Sequence, residues 1–118
     1  MTSEFVSYLH EIFASFGTIR TRRMFGGFGI YHRDLMFGLV IEETLYLKAD
    51  VLSISQFEEL GLPPFEFNRR GKMVKLSYYQ APEEIFEDFE QAKVWAKHAY
   101  DAALRSNQPK KNSLQLNR

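Results

Sequence analysis

Along the first sixteen residues the apolar positions Phe5, Tyr8, Leu9, Ile12, Phe13 and Phe16 recur at three- and four-residue intervals, which places them on one face of a helix. The spacing predicts an amphipathic helix over residues 3–16, capped by the Ser3 hydroxyl and ended by a left-handed Gly17. From Thr18 to Lys48 the period drops to two, the repeat of a strand. Four strands fit: Ile19 to Phe25, Phe28 to His32, Leu35 to Ile41 and Thr44 to Lys48, separated by Gly26-Gly27, Arg33-Asp34 and Glu42-Glu43. Breaks this short imply hairpins, hence an antiparallel meander. Strict alternation in the third strand puts Leu35, Phe37, Leu39 and Ile41 on one face and Met36, Gly38 and Val40 on the other. With both faces apolar, that strand is expected at the centre of the sheet or under a second layer.

A short helix follows and ends at Gly61, because Pro63 and Pro64 cannot continue it. Its start has two readings: Ser55 with Glu58 has the form of a capping box, whereas Asp50 would cap a longer version that includes Leu52. Two further strands, Phe65 to Asn68 and Met73 to Tyr79, flank the turn Arg69-Arg70-Gly71-Lys72. Pro82 in the first helical position, followed by Glu83 and Glu84, opens the last helix, since proline lacks an N–H that would be unpaired there and the acids oppose the positive dipole end. That helix is expected to run to about Arg105 with a stripe of Ile85, Phe89, Ala92, Ala96, Ala99 and Ala103, widened by Phe86, Trp95 and Leu104, and Trp95 as its buried anchor. The fold class is therefore α+β, an antiparallel sheet flanked by helices in the order α-β4-α-β2-α. Residues 1–105 form one domain, and residues 106–118, polar and interrupted by Pro109, a C-terminal tail.

Composition narrows the function classes. The 118 residues leave room for one domain, and eleven Phe supply enough apolar surface for a core without staples. The absence of Cys excludes a disulfide framework, a thiolate metal site and a cysteine nucleophile. The chain opens without a basic leader and an apolar run, and no stretch approaches the length of a membrane span, so a cytoplasmic, membrane-free protein is expected. Lys and Arg balance Asp and Glu at fifteen each, which argues against a sequence-independent nucleic-acid binder of the strongly cationic kind. The acids nevertheless concentrate over residues 58–66 and 83–90 and the bases over 20–23 and 69–75. His10, His32 and His98 are scattered, no Gly-x-Ser-x-Gly is present, and Glu83/Glu84 or Glu87/Asp88 are consecutive on a helix and do not face each other. No catalytic residue, metal site or cofactor is expected.

The segment Arg22-Arg23-Met24-Phe25-Gly26-Gly27-Phe28-Gly29 invites comparison with phosphate-binding glycine loops, but such loops open a helix and here a strand follows. The expected role is structural: Gly26 and Gly27 take positive φ in a hairpin, and Gly29 allows close backbone approach. Continued to Ile30-Tyr31, the segment resembles the motif of the N-terminal domain of the TfoX/Sxy family of bacterial competence regulators, with Phe25, Gly26, Gly27 and Gly29 as its structural turn. Met36-Phe37, Leu45-Tyr46-Leu47-Lys48, Gly61, Pro64-Phe65, Ser77-Tyr78-Tyr79, Pro82 and Trp95-Ala96 continue the resemblance in order, over about residues 8–104. It implies an α+β domain similar to the fold of secretion chaperones and a positive regulatory role toward DNA-uptake genes. It also implies a form that carries this domain without the helix-hairpin-helix domain of longer members.

The function expected is that of a non-enzymatic interaction domain that docks on a protein partner in a transcription-regulatory pathway. Phe65, Phe67, Tyr78 and Tyr79 are expected on the outer face of the last hairpin, where exposed aromatic rings mark a partner or homodimer interface. Arg22, Arg69, Arg70 and Lys72 are the candidate charged residues of that interface. The alternative is a weak nucleic-acid-binding domain whose basic patch forms if the two basic hairpins lie close. Alternation separates Arg20 and Arg22 from Arg23, so all the cations cannot converge.

Overall fold

The structure is a computed structural model and describes residues 4–24 and 26–108. Ser3 with its expected capping role, Phe25 of the glycine segment and residues 109–118 of the expected tail lie outside the described residues. Helix α1 (Glu4–Ile12) buries Val6, Leu9 and Ile12, and the turn after it buries Phe13. Tyr8 stays at the rim, where its hydroxyl donates to the Phe86 carbonyl oxygen at 2.9 Å. The helix stops short of Phe16 because the N–H groups of Phe16 and Gly17 both turn back to the Phe13 carbonyl. Gly17 has φ 157°, close to extended, and not the left-handed value expected of a helix end. That backbone conformation and the His32 ring, whose Cε1 would lie 2.7 Å from a Cβ, both favour glycine there.

Six strands form one antiparallel sheet: β1 (Arg20–Met24), β2 (Gly27–His32), β3 (Leu35–Ile41), β4 (Thr44–Lys48), β5 (Pro64–Arg69) and β6 (Lys72–Gln80). Their spatial order is β1-β2-β3-β4-β6-β5, so the meander continues through β6 and the last hairpin closes one edge with β5. The turns at Arg33-Asp34, Glu42-Glu43 and Arg70-Gly71 hold both central residues at φ between 50° and 83°, the left-handed geometry that matches two-residue hairpins to strand twist.

The strict alternation expected in β3 does not hold. Ile30 faces Gly38 while Tyr31 faces Met36, which leaves Phe37 as an extra residue, a β-bulge. Past the bulge the faces exchange. Leu35, Phe37 and Val40 join the core, and Leu39 and Ile41 turn to the opposite face, away from the Phe37 with which alternation had grouped them.

Helix α2 (Ile54–Glu59) starts from Asp50, whose carbonyl accepts the N–H groups of Ser53 and Ile54 at 2.9 Å and whose carboxylate accepts Leu52 N–H at 3.1 Å. The Ser55–Glu58 capping box plays no part, and Gly61 ends the helix at φ 71° as expected. The final helical region is broken where one continuous helix is expected. Pro82 precedes a single 3-10 turn, Glu83–Phe86, and helix α3 (Phe89–Ser106) begins afresh because the Asp88 carboxylate accepts the N–H groups of Glu90 and Gln91 at 3.0 and 3.3 Å. Ala92, Trp95, Ala96, Ala99, Ala102 and Ala103 are buried, whereas Phe89 and Leu104, expected in the stripe, are exposed. Small side chains let α3 lie close on β3 and β4, and all the helices pack against this one face of the sheet.

Arg105, in the last turn of α3, grips Asp50 through Nε at 2.6 Å and Nη2 at 3.0 Å, tying α3 to the start of α2. These bonds hold the Asp50 carboxyl below its usual range, against the opposing effect of burial. A depressed carboxyl contributes stability above its unfolded value near 3.9, and that contribution disappears as pH falls through the folded value. Asp50→Asn is therefore expected to cost about 1–2 kcal/mol at pH 7, a figure lowered by the exposure of Arg105. Urea unfolding should show the gap to the native protein closing as pH drops from 5 toward 2.

Candidate interaction surface

Directly opposed residues of an antiparallel pair share a face, so the strand register sorts the side chains. On the face away from the helices lie Arg20, Arg22 and Met24 of β1, Gly29 and Tyr31 of β2, Met36, Leu39 and Ile41 of β3, and Tyr46 and Lys48 of β4. The same face continues across β6 and β5 with Tyr78, Leu76, Val74, Phe67, Phe65, Arg69 and Lys72. No helix among the described residues covers it. Its rings form a pavement. Tyr46 meets Phe65 edge-on at 5.2 Å, and Phe65 stacks on Phe67 at 6.0 Å. Next to them the Lys48 ammonium lies 5.1 Å from the Tyr78 ring centroid and donates to Ser77 Oγ at 2.8 Å.

Packing among these side chains is tight enough to desolvate polar groups that no helix covers. Burial pushes the Tyr78 hydroxyl up to about 12, with Tyr31 adding to the effect. Burial also raises Tyr46, aided by Glu42, and lowers the Lys48 ammonium, opposed by Asp50. Leu39 is fully buried although it points to this side, between Gly29 on one neighbouring strand and Tyr46 on the other. Gly29 leaves the room that the sulfurs use: a Cβ there would come within 2.6 Å of Met24 Sδ and 2.9 Å of Met36 Sδ.

Charge is segregated by face. The strands carry Arg20, Arg22, Arg23, Lys48, Arg69, Lys72 and Lys75 against a single acid, Glu66, and the register turns Glu66 to the helix side. Every strand-borne charge on the open face is thus positive, and the zero net charge of the chain hides a strong asymmetry.

The expected site residues divide accordingly. Phe65 and Tyr78 lie on the open face, half-buried. Tyr79 does not: it points into the core, 5% exposed, with its ring 5.4 Å from Phe57. A one-residue step along a strand reverses the side chain, so Tyr78 and Tyr79 cannot share a face. Arg22 is exposed on β1, while Arg69, Arg70 and Lys72 are exposed at the tip of the β5–β6 hairpin. Since β1 and β5 are the two opposite edges, about 24 Å apart at 4.8 Å per strand, the two basic groups do not form one patch.

Of the glycine doublet, Gly26 alone takes positive φ, at 76°. Gly27 is already the first residue of β2 and is needed for contact, since a Cβ on it would overlap the Val40 carbonyl oxygen. Gly26 lies between β1 and β2 and Gly27 opens β2, so neither is at the mouth of a helix. Tyr31, Met36, Leu39 and Tyr46 are not among the site residues expected from the sequence. Alternation in β2 and β4 flags the two tyrosines, but the bulge at Phe37 conceals Leu39. No three His, Asp or Glu side chains come together as a metal set among the described residues, and no described helix is long and apolar enough to cross a membrane.

The family model described as the TfoX N-terminal domain matches residues 11–103. The chain is 34% identical over 86 residues to the DNA transformation protein TfoX1 of Aliivibrio fischeri, covering 70% of this chain and 41% of that protein. It is 28% identical over 95 residues to Protein Sxy of Escherichia coli, covering 80% and 46%, and 32% identical over 66 residues to the DNA transformation protein TfoX of Haemophilus influenzae, covering 55% and 30%. The matched region is less than half the length of each of these relatives.

Proposed function

The chain belongs to the TfoX N-terminal domain family, and on that premise we propose that it is a non-enzymatic regulatory domain of DNA uptake that docks on a protein partner through the open face of its sheet. The observation that carries this reading is the pavement of Tyr31, Met36, Tyr46, Phe65, Phe67 and Tyr78, an apolar surface with a cationic rim on an otherwise helix-covered domain. Buried rings would supply most of the binding free energy, and the rim would select the partner. The rim favours a partner of acidic character. In a face-to-face homodimer Arg22, Lys48, Arg69 and Lys72 would meet a surface that is likewise cationic, whereas an acidic, apolar-bearing segment of another protein complements them.

Tyr46→Glu and Phe67→Glu each place a negative charge on the pavement at half-buried positions outside the core. With the gene replaced in its host strain, each variant is expected to lower expression of a DNA-uptake reporter at least about tenfold, since an interfacial ring of this kind carries about 2 kcal/mol or more. Circular dichroism and melting temperature should remain near those of the native chain. Folded variants with full reporter output would reject the sheet face as the docking surface.

A further inference from the structure

The hairpin of β5 and β6 outruns the rest of the sheet. β4 pairs with β6 only from Tyr78 to Gln80, and Ala49 N–H adds one last bond to the Ser77 carbonyl. From Leu76 to Lys72 the strand has β5 as its only strand partner among the described residues, so a two-stranded ribbon projects about 17 Å beyond β4 at 3.4 Å per residue. Its tip is a tight turn: Arg70 and Gly71 hold φ 53° and 83°, and the Asn68 side-chain oxygen accepts the Gly71 N–H at 2.9 Å.

The charge of the ribbon departs from that of the whole chain. Residues 66–75 hold Arg69, Arg70, Lys72 and Lys75 against Glu66 alone, and all four cations are exposed with no ion pair among the described residues. They are spread around the ribbon: Arg69 and Lys72 on the pavement side, Lys75 on the reverse, Arg70 at the turn. Met73, 63% exposed, stands beside them.

We propose that this hairpin is an arm that binds duplex DNA, with the ribbon seated in the major groove and its cations reaching the phosphates on both sides. The major groove is about 12 Å wide and admits a two-stranded ribbon. Cations on both faces and the tip suit the two walls of a groove, whereas a flat acidic protein surface would meet one face of the ribbon. A local cluster of this kind supplies sequence-independent affinity whatever the net charge of the chain. The arm shares Arg69, Lys72 and Phe67 with the end of the pavement, so duplex and the protein partner would compete for the ribbon, while Arg70 and Lys75 serve the duplex alone.

The test is fluorescence anisotropy of a labelled 20-base-pair duplex with the full chain. Native protein should bind in 50 mM salt, and log K should fall against log salt with a slope of about −3 to −4, four phosphates at about −0.9 each. Arg69→Ala/Arg70→Ala/Lys72→Ala should bind at least about thirtyfold more weakly with a slope near −1, while Lys97→Ala, which removes an exposed cation from α3, binds as the native chain does. If the triple variant melts early, the single substitution Lys72→Glu serves instead, with a loss of about tenfold expected. No binding at 50 mM salt, or equal binding by the arm variants, overturns the proposal. Poly-L-glutamate competing as well as duplex, weight for weight, also overturns it by assigning the arm to an acidic protein.

Discussion

Gly27→Ala is expected to destabilise the domain by about 3 kcal/mol or more, the larger effect of the two glycines in the doublet, and to lower the melting temperature by about 12 °C or more. A methyl on Gly27 would overlap the Val40 carbonyl oxygen and lie 2.8 Å from Ile41 Cδ1. Ile41 can change rotamer, but Val40 belongs to the backbone of β3, so relief requires β2 and β3 to part where Phe28 pairs with Val40. That pairing brings Phe28 and Val40 into the core. Gly26→Ala isolates the other effect. Nothing lies within 4 Å of a Cβ there, and only the positive φ of 76° penalises the substitution, by about 1 kcal/mol. Urea unfolding of both variants gives the ranking, and Gly27→Ala within 1 kcal/mol of the native chain, or less harmful than Gly26→Ala, would refute the close-contact account.

The same doublet shows what a sequence can and cannot disclose. Two adjacent glycines between strands announce a tight turn, because few other residues tolerate its backbone. They do not say which glycine supplies φ and which supplies clearance, since clearance depends on β3, thirteen residues away at Val40. Strands β3 and β4 are legible to the residue because two-residue turns bound β3 at both ends and β4 at its start, and alternation in β4 runs unbroken to Lys48. The interior of β3 is not: a bulge inserts no residue type of its own, and Phe37 fits either face as an apolar side chain.

The candidate surface was half legible for a related reason. Phe65 and Tyr78 follow from alternation within one hairpin, but the continuous pavement needs six strands in register. The two basic clusters stay apart on topology, because the four-stranded meander puts β1 at one edge and the β5–β6 hairpin at the other. Likewise the break before α3 turns on Asp88, which heads no motif in the sequence and competes with a strong start at Pro82. Both are helix-start signals, and the folded chain uses each for a separate helical segment.

Trp95→Ala is expected to cost about 3–5 kcal/mol, because the ring is the contact at which four elements meet. Trp95 belongs to α3 and is 8% exposed; its ring meets Phe57 of α2 edge-on at 5.2 Å, and Phe57 in turn lies 5.4 Å from Tyr79 of β6. Its Nε1 donates to Glu84 Oε2 at 3.3 Å and so holds the 3-10 turn against the long helix. Alanine leaves a void that these rings cannot fill without moving α2 off the sheet. Trp95→Phe retains most of the contact and loses one hydrogen bond whose acceptor reaches water, so its expected cost is nearer 1 kcal/mol. The chain has a single Trp, so unfolding of both variants is followed by circular dichroism. A domain of this length holds roughly 6–15 kcal/mol of stability, so even Trp95→Ala should stay largely folded at 25 °C unless the native chain lies at the low end of that range. Because the indole lies on the helix side, both folded variants should keep whatever the pavement and the arm bind. Loss of binding by a fully folded Trp95→Phe protein would mean that the two faces of the sheet are coupled, and the separation between a structural layer and an interaction layer would fail.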